Sequence, residues 1–264
     1  MKKTLYWTLA IVITLALSVY QRMTGPTHPK KVTIELNGQQ YKMKLPRSGV
    51  RTDEIITLSD VPAEANAQIH YRRYPSHDDF STKAFTWQDS TWQATLPVQP
   101  VAGKLQYYIT VNNHNYPSDE PLVIRFRNDV PAYILVPHIL LMFAAMLFAV
   151  YTLLLVITQQ KYKRWLKLTT LTLFAGGFIL GPMVQHEAFG PWWAGFPFDT
   201  DLTDNKTLIS FLFFLLALAT RKWKYNRWVV ALAVMVMIAV FTIPHSANGS
   251  EYNYETQQLT TGSN

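Results

Sequence analysis

The sequence predicts a membrane protein in three parts: an N-terminal anchor helix, an extracytoplasmic antiparallel β-sandwich, and a C-terminal four-helix transmembrane bundle. Three observations predict it. Residues 131–158, 166–185, 207–220 and 228–244 are nearly continuous apolar runs, whereas residues 25–130 are polar and rich in turns. Eight of the basic residues sit in two short connectors between those runs, KYKRWLK (Lys161, Lys163, Arg164, Lys167) and RKWKYNR (Arg221, Lys222, Lys224, Arg227). Basic loops between apolar spans mark the cytoplasmic side of a membrane.

The first element, residues 1–24, places Lys2 and Lys3 ahead of an apolar stretch from Leu5 to Tyr20. The pattern fits a signal peptide or an uncleaved signal-anchor, and the anchor is favoured because no small-x-small cleavage site immediately precedes Gln21. With the lysines inside, the following domain lies outside.

Residues 25–130 read as about eight short strands punctuated by turns, among them VTIEL, YKMKL, EIITL, AQIHYRRY, TWQATL, KLQYYITV and PLVIRF. Asn37-Gly38 between two alternating runs is a strong hairpin signal. Leu105, Tyr107, Ile109 and Val111 mark one face of a later strand. In size and strand count this segment resembles an immunoglobulin or fibronectin type III domain, an architectural likeness only, since the tryptophan–cysteine signature of true immunoglobulin domains is missing. There are no cysteines at all, which excludes disulfides, thiolate metal sites and cysteine nucleophiles.

Residues 131–246 form the predicted bundle: a helix from Ala132 to Ile157, a second out to Gln185, a third from Asn205 to Thr220 and a last ending near Ile243. The Gly177-xxx-Gly181 spacing in the second invites close approach by a neighbour. Residues 247–264 are a polar extracytoplasmic tail, expected to be mobile beyond Tyr254. The chain is thus expected to be multi-pass in the inner membrane, with the N-terminus cytoplasmic.

A net charge of +7 raises the question of nucleic acid, but cations confined to short loops between apolar runs argue for an anionic leaflet instead. No internal repeat is visible, which weighs against an inverted-repeat transporter.

That topology gathers the chemistry of the bundle at one surface. His138, His186 and His245 all fall at outer helix ends, near Asp199, Asp201, Asp204, Glu187 and Glu251. Three imidazoles with Asp204 or Glu251 make a candidate set for a divalent metal, hydrolytic or oxidative, with Glu251, Asp201 or Asp204 as proton acceptor. Pro244 and Gly249 bend the chain so as to turn Ser246 and Glu251 back over the bundle. Two of the same histidines are alternatively axial ligands of a haem. The third reading needs no cofactor: an accessory or assembly subunit whose β-domain binds envelope proteins.

DTDLTDNKTL resembles a calcium loop in its alternating oxygens but lacks the glycine and distal glutamate of an EF-hand. A structural role is expected instead, with Thr203 or Asp204 capping the next helix and Lys206 snorkelling to the interface. Trp192, Trp193, Phe196 and Phe198 form an aromatic loop, an interfacial belt or a lid. His28, His70, His114 and the His77–Asp79 segment receive no role. Asn205-Lys-Thr and Asn248-Gly-Ser are glycosylation sequons only in a eukaryotic chain.

Overall fold

The computed structural model describes residues 2–245 and 249–261, and the expectations that concerned Ser246 and Asn248 lie outside them. Two compact units emerge: a helical unit of Met1–Pro26 with Val130–Gly249, and a β unit of Thr27–Asp129 with Ser250–Asn264.

The β unit opens on a hairpin, β1 (Lys30–Leu36) and β2 (Gln39–Leu45), paired antiparallel from Lys30–Leu45 to Leu36–Gln39. Asn37 and Gly38 take φ of 52° and 77°, the left-handed pair that a two-residue hairpin turn demands. There follow β3 (Ser48–Gly49), β4 (Glu54–Leu58), β5 (Ala67–Tyr74), β6 (Ser81–Ala84), β7 (Thr86–Gln88), β8 (Thr91–Leu96), β9 (Lys104–Val111), β10 (His114–Tyr116) and β11 (Leu122–Phe126). One sheet runs β3-β11-β9-β5-β6 with β10 also on β9, and a three-stranded sheet runs β4-β8-β7.

Residues 81–88 pass from one sheet to the other, and Phe85 between the two strands is buried, its N–H on the Ala67 carbonyl. Strict alternation in β9 buries Leu105, Tyr107, Ile109 and Val111, as the period of two requires. They join Ile34, Leu45, Ile56, Leu96, Ile124 and Phe126 in one apolar core drawn from three sheets. Burying each such side chain contributes roughly 1.5–3 kcal/mol, which lets a domain of this size stand without disulfides.

The tail expected to be mobile is instead a hairpin, β12 (Ser250–Asn253) on β13 (Gln258–Thr261). It belongs to the β unit, where Tyr252 N–H reaches the Ala102 carbonyl at 3.2 Å and Lys104 Nζ pairs with Glu251 at 2.7 Å.

In the helical unit, α1 (Lys2–Thr24) packs on α2 (Ala132–Ile157), where Trp7 stacks on Tyr151 at 4.2 Å and meets Trp165 edge-on at 5.1 Å. Next, α3 (Lys163–Phe174) runs through a π-helical stretch, Ala175–Leu180, into α4 (Gly181–Phe189). Helices α5 (Leu202–Ala219) and α6 (Asn226–Thr242) complete it. Among the described residues, four helical segments are long and apolar enough to cross a membrane: Lys3–Thr24, Ala132–Ile157, Lys163–Phe189 and Leu202–Ala219. The apolar α6 is shorter; at 1.5 Å per residue its 17 residues reach roughly 25 Å.

The π-helical stretch begins where the small residues are needed. A Cβ on Gly177 would lie 2.5 Å from Thr207 Cγ2, and one on Gly176 would lie 3.0 Å from Leu141 Cβ. Gly177 therefore seats α5 and Gly176 seats α2. Gly181, its partner in the expected motif, meets nothing closer than 3.5 Å.

Candidate functional site

The loop between α4 and α5 is organised by side chains acting on backbone. Asp201 Oδ1 accepts from the N–H groups of Thr203 at 2.7 Å and Asp204 at 3.2 Å, so the helix cap is Asp201 rather than Thr203 or Asp204. Asp204 is left to reach back into the loop, accepting from Ala194 N–H at 2.7 Å, while Asn205 Oδ1 accepts from Phe196 N–H at 2.7 Å. A capping carboxylate must sit just before the first helical residue, and α5 starts at Leu202, earlier than its apolar run implies.

Lys206 does not snorkel. It is buried, 2% exposed, with Nζ donating to the carbonyls of Ile243 at 2.8 Å and Pro244 at 3.3 Å. The chain leaving α6 has carbonyls without helical partners, and this ammonium supplies the donors.

Two of the three histidines have partners of their own. A carbonyl can only accept, so His138 Nδ1 carries its proton and donates to Gly176 O at 2.9 Å, a carbonyl offered by the π-helical stretch. His186 Nδ1 likewise donates to Gly190 O, and its ring stacks on Trp192 with centroids 4.3 Å apart. His245 follows α6; desolvation of its ring first, then the charges of Lys206 and His138, push its pKa down to about 4, although the residue keeps exposed surface. Lys206 Nζ sits on the carbonyls of the two residues that precede His245. A buried ammonium at that point repels a cation.

Glu251 belongs to the β unit, paired with Lys104, not to the helical unit that holds the histidines. Among the described residues, no group of three or more histidine, aspartate or glutamate side chains is arranged to hold a metal ion.

A different site stands in the β unit. Where β5 ends and the β12–β13 hairpin lies across it, a cleft of about 520 Å³ is lined by residues including Arg72, Tyr74, Gln106, Tyr252, Tyr254 and Glu255. Its walls are held by specific contacts. Arg72 Nε donates to Gln106 Oε1 at 2.9 Å while its guanidinium lies 4.5 Å from the Phe80 ring centroid. Arg73 grips Asp78 through two hydrogen bonds, at 2.5 and 3.1 Å, and lies 5.4 Å from the Tyr254 ring centroid. The hydrogen bond from Arg73, with its charge, holds the Asp78 carboxyl below the usual range.

Tyr254 anchors the hairpin. Its phenol oxygen accepts from Lys104 N–H at 3.0 Å and lies within donating distance of Lys104 O at 2.8 Å and Gln99 Oε1 at 3.0 Å. Burial pushes this phenol up to about 12. Gly103 makes the approach possible, because a Cβ there would lie 3.0 Å from that oxygen and 2.8 Å from Pro100 O. Arg125 adds a hydrogen bond to the Ser250 carbonyl.

Sequence reasoning misses this cleft because it leaves the tail mobile beyond Tyr254 and gives the His77–Asp79 segment no role. One signal was present: Tyr252 and Tyr254 alternate, as strand residues do. Comparison with protein-family models and with curated protein sequences finds no match.

Proposed function

We propose that the chain is a multi-pass inner-membrane protein that serves as an accessory or assembly subunit. On this reading the β unit is an immunoglobulin- or fibronectin III-like sandwich displayed outside the membrane, and it recognises an extended segment of another envelope protein. The observation that carries the proposal is the β-unit cleft, which at about 520 Å³ is the size of a recognition pocket. Its walls include three tyrosines and two arginines, residue types that concentrate binding energy at protein interfaces. Charges of both signs suit a polypeptide better than a uniformly charged ligand.

A metal at His138, His186, His245, Asp204 or Glu251, and a haem between two of those histidines, have less support. His138 and His186 have partners of their own, and a buried ammonium stands at the carbonyls just before His245.

The test is site-specific photocrosslinking in intact cells, with a benzophenone side chain at Tyr252 and, as a control, at the exposed Trp87. A single dominant protein adduct at position 252, lost on Arg72→Ala and absent at position 87, is the expected result. Equal labelling at both positions, or none at either, would remove the proposal.

A further inference from the structure

The end of the helical unit that carries the basic connectors holds a second concavity. Between the start of α3 and the end of α5 lies a groove of about 330 Å³, lined by Lys163, Leu166, Lys167, Leu218, Arg221 and Lys222. Leu166 is fully buried and Leu218 partly so, giving an apolar floor, while all four cations of the rim are exposed. A small cavity with a greasy floor and a cationic rim has the form of a headgroup site at a helical surface.

The rim charges have no internal partner. None of the four side chains makes an ion pair or hydrogen bond among the described residues. No partner is near in sequence either, because residues 130–186 and 205–250 contain no aspartate or glutamate. The carbonyls ending α5, a natural attraction for cations, are already taken: Ala217 O by Asn226 Nδ2 at 2.8 Å and Leu216 O by Thr220 Oγ1 at 2.8 Å. Across the groove, α3 begins at Lys163 with no side-chain cap from Tyr162, and the N-terminal end of its dipole adds positive potential.

The groove is also held in shape. Tyr162 donates to Asn226 Oδ1 at 2.7 Å, and Asn226 binds Ala217 O and Thr220, tying the α2–α3 connector to the α5–α6 turn. Arg227 donates to carbonyls of Val156, Gln159 and Gln160, each at 3.3 Å. Of the basic residues at this end, Arg227 is spent on structure while the four of the rim are not.

We propose that this groove binds the phosphodiester headgroup of an anionic phospholipid, with Lys163, Lys167, Arg221 and Lys222 on the phosphate oxygens and the acyl chains leaving over Leu166 and Leu218. The inference rests on the helices being membrane spans and is independent of the β-unit cleft. Alkaline carbonate treatment of membranes separates the two claims. A chain released by carbonate refutes the membrane reading itself; a chain retained leaves the groove to be judged on lipid binding.

Lipid binding is measured by native mass spectrometry of the full chain in neutral detergent, titrated with dioleoyl phosphatidylglycerol, dioleoyl phosphatidylcholine or sodium phosphate. One saturable phosphatidylglycerol, preferred over phosphatidylcholine, is expected. Lys167→Gln with Arg221→Gln weakens it roughly thirtyfold, at about 1 kcal/mol per cation. Lys161→Gln with Lys224→Gln removes the same charge outside the groove and changes affinity less than about twofold. Equal losses in the two double variants would reduce the site to net charge and overturn the proposal. Displacement of the lipid by equimolar inorganic phosphate would overturn the lipid assignment. Helical circular dichroism of each variant checks folding, with Lys163→Gln and Lys222→Gln as a second groove pair.

Discussion

Gly177 is where a single atom decides the packing of two helices. Adding a methyl group there forces Thr207 Cγ2, 2.5 Å away, to move, so Gly177→Ala is expected to destabilise the helical unit by about 1–3 kcal/mol. Thr207→Ser removes the obstructing methyl, and the double variant should recover most of the loss in a thermal unfolding cycle in detergent. Additive losses would mean that the contact is not what Gly177 protects. Glu54 offers a test through pH. Burial raises its pKa above the usual carboxylate value, so the folded β unit holds this proton more tightly than the unfolded chain. Stability from this group is therefore present at low pH and lost as pH rises from about 4 through the raised folded value. Glu54→Gln should raise the melting temperature of the β unit at pH 7, with the gain vanishing near pH 4. The glycines were legible in the sequence as small residues permitting close approach. Which one seats a neighbour was not, because Gly177 and Gly181 carry the same pattern and differ only in what lies opposite.

At the scale of elements, the hairpin β12–β13 is tied to the rest of the β unit by polar contacts of Glu251, Tyr254 and the Ser250 carbonyl. Tyr254→Phe leaves the Lys104 N–H and carbonyl without their partner, a cost of about 1–3 kcal/mol where they are buried. Hydrogen exchange should show residues 250–261 opening in that variant while β5 and β9 stay protected. Alternation made β9 readable from sequence, and Asn37-Gly38 fixed the first hairpin, because both signals are local. The pairing of β12 with β13 was hidden, since a short polar hairpin becomes ordered only through the surface it lies on. The same reason explains the loop before α5. Local rules predicted a cap at Thr203 or Asp204, but Asp204 is drawn back to Ala194 and Gly195, and Asp201 fills the position. Three histidines near three helix ends were likewise visible in the sequence. The carbonyl partners of His138 and His186, and the stacking of His186 on Trp192, were not.

Over the whole molecule, charge divides as the units do. The helical unit carries twelve basic and four acidic residues, the β unit twelve basic and thirteen acidic, so the net positive charge resides entirely in the helical unit. This asymmetry bears on the proposed orientation. The absence of native cysteine makes single-cysteine labelling clean. Lys224→Cys is expected to resist an impermeant maleimide applied from outside the cell, while the exposed Phe198→Cys reacts. The reverse pattern would invert the proposed topology and place the β unit on the cytoplasmic side.

The β unit is assembled from two stretches of chain separated by nearly half the sequence. Residues up to Asp129 emerge early in synthesis, yet the Glu251 and Tyr254 contacts that complete the unit arrive roughly 120 residues later, about 6–24 s at ordinary translation rates. Until then the cleft does not exist. A ribosome that stalls before residue 250 delivers a β domain without this cleft, so the recognition proposed for it would be withheld from every incomplete copy.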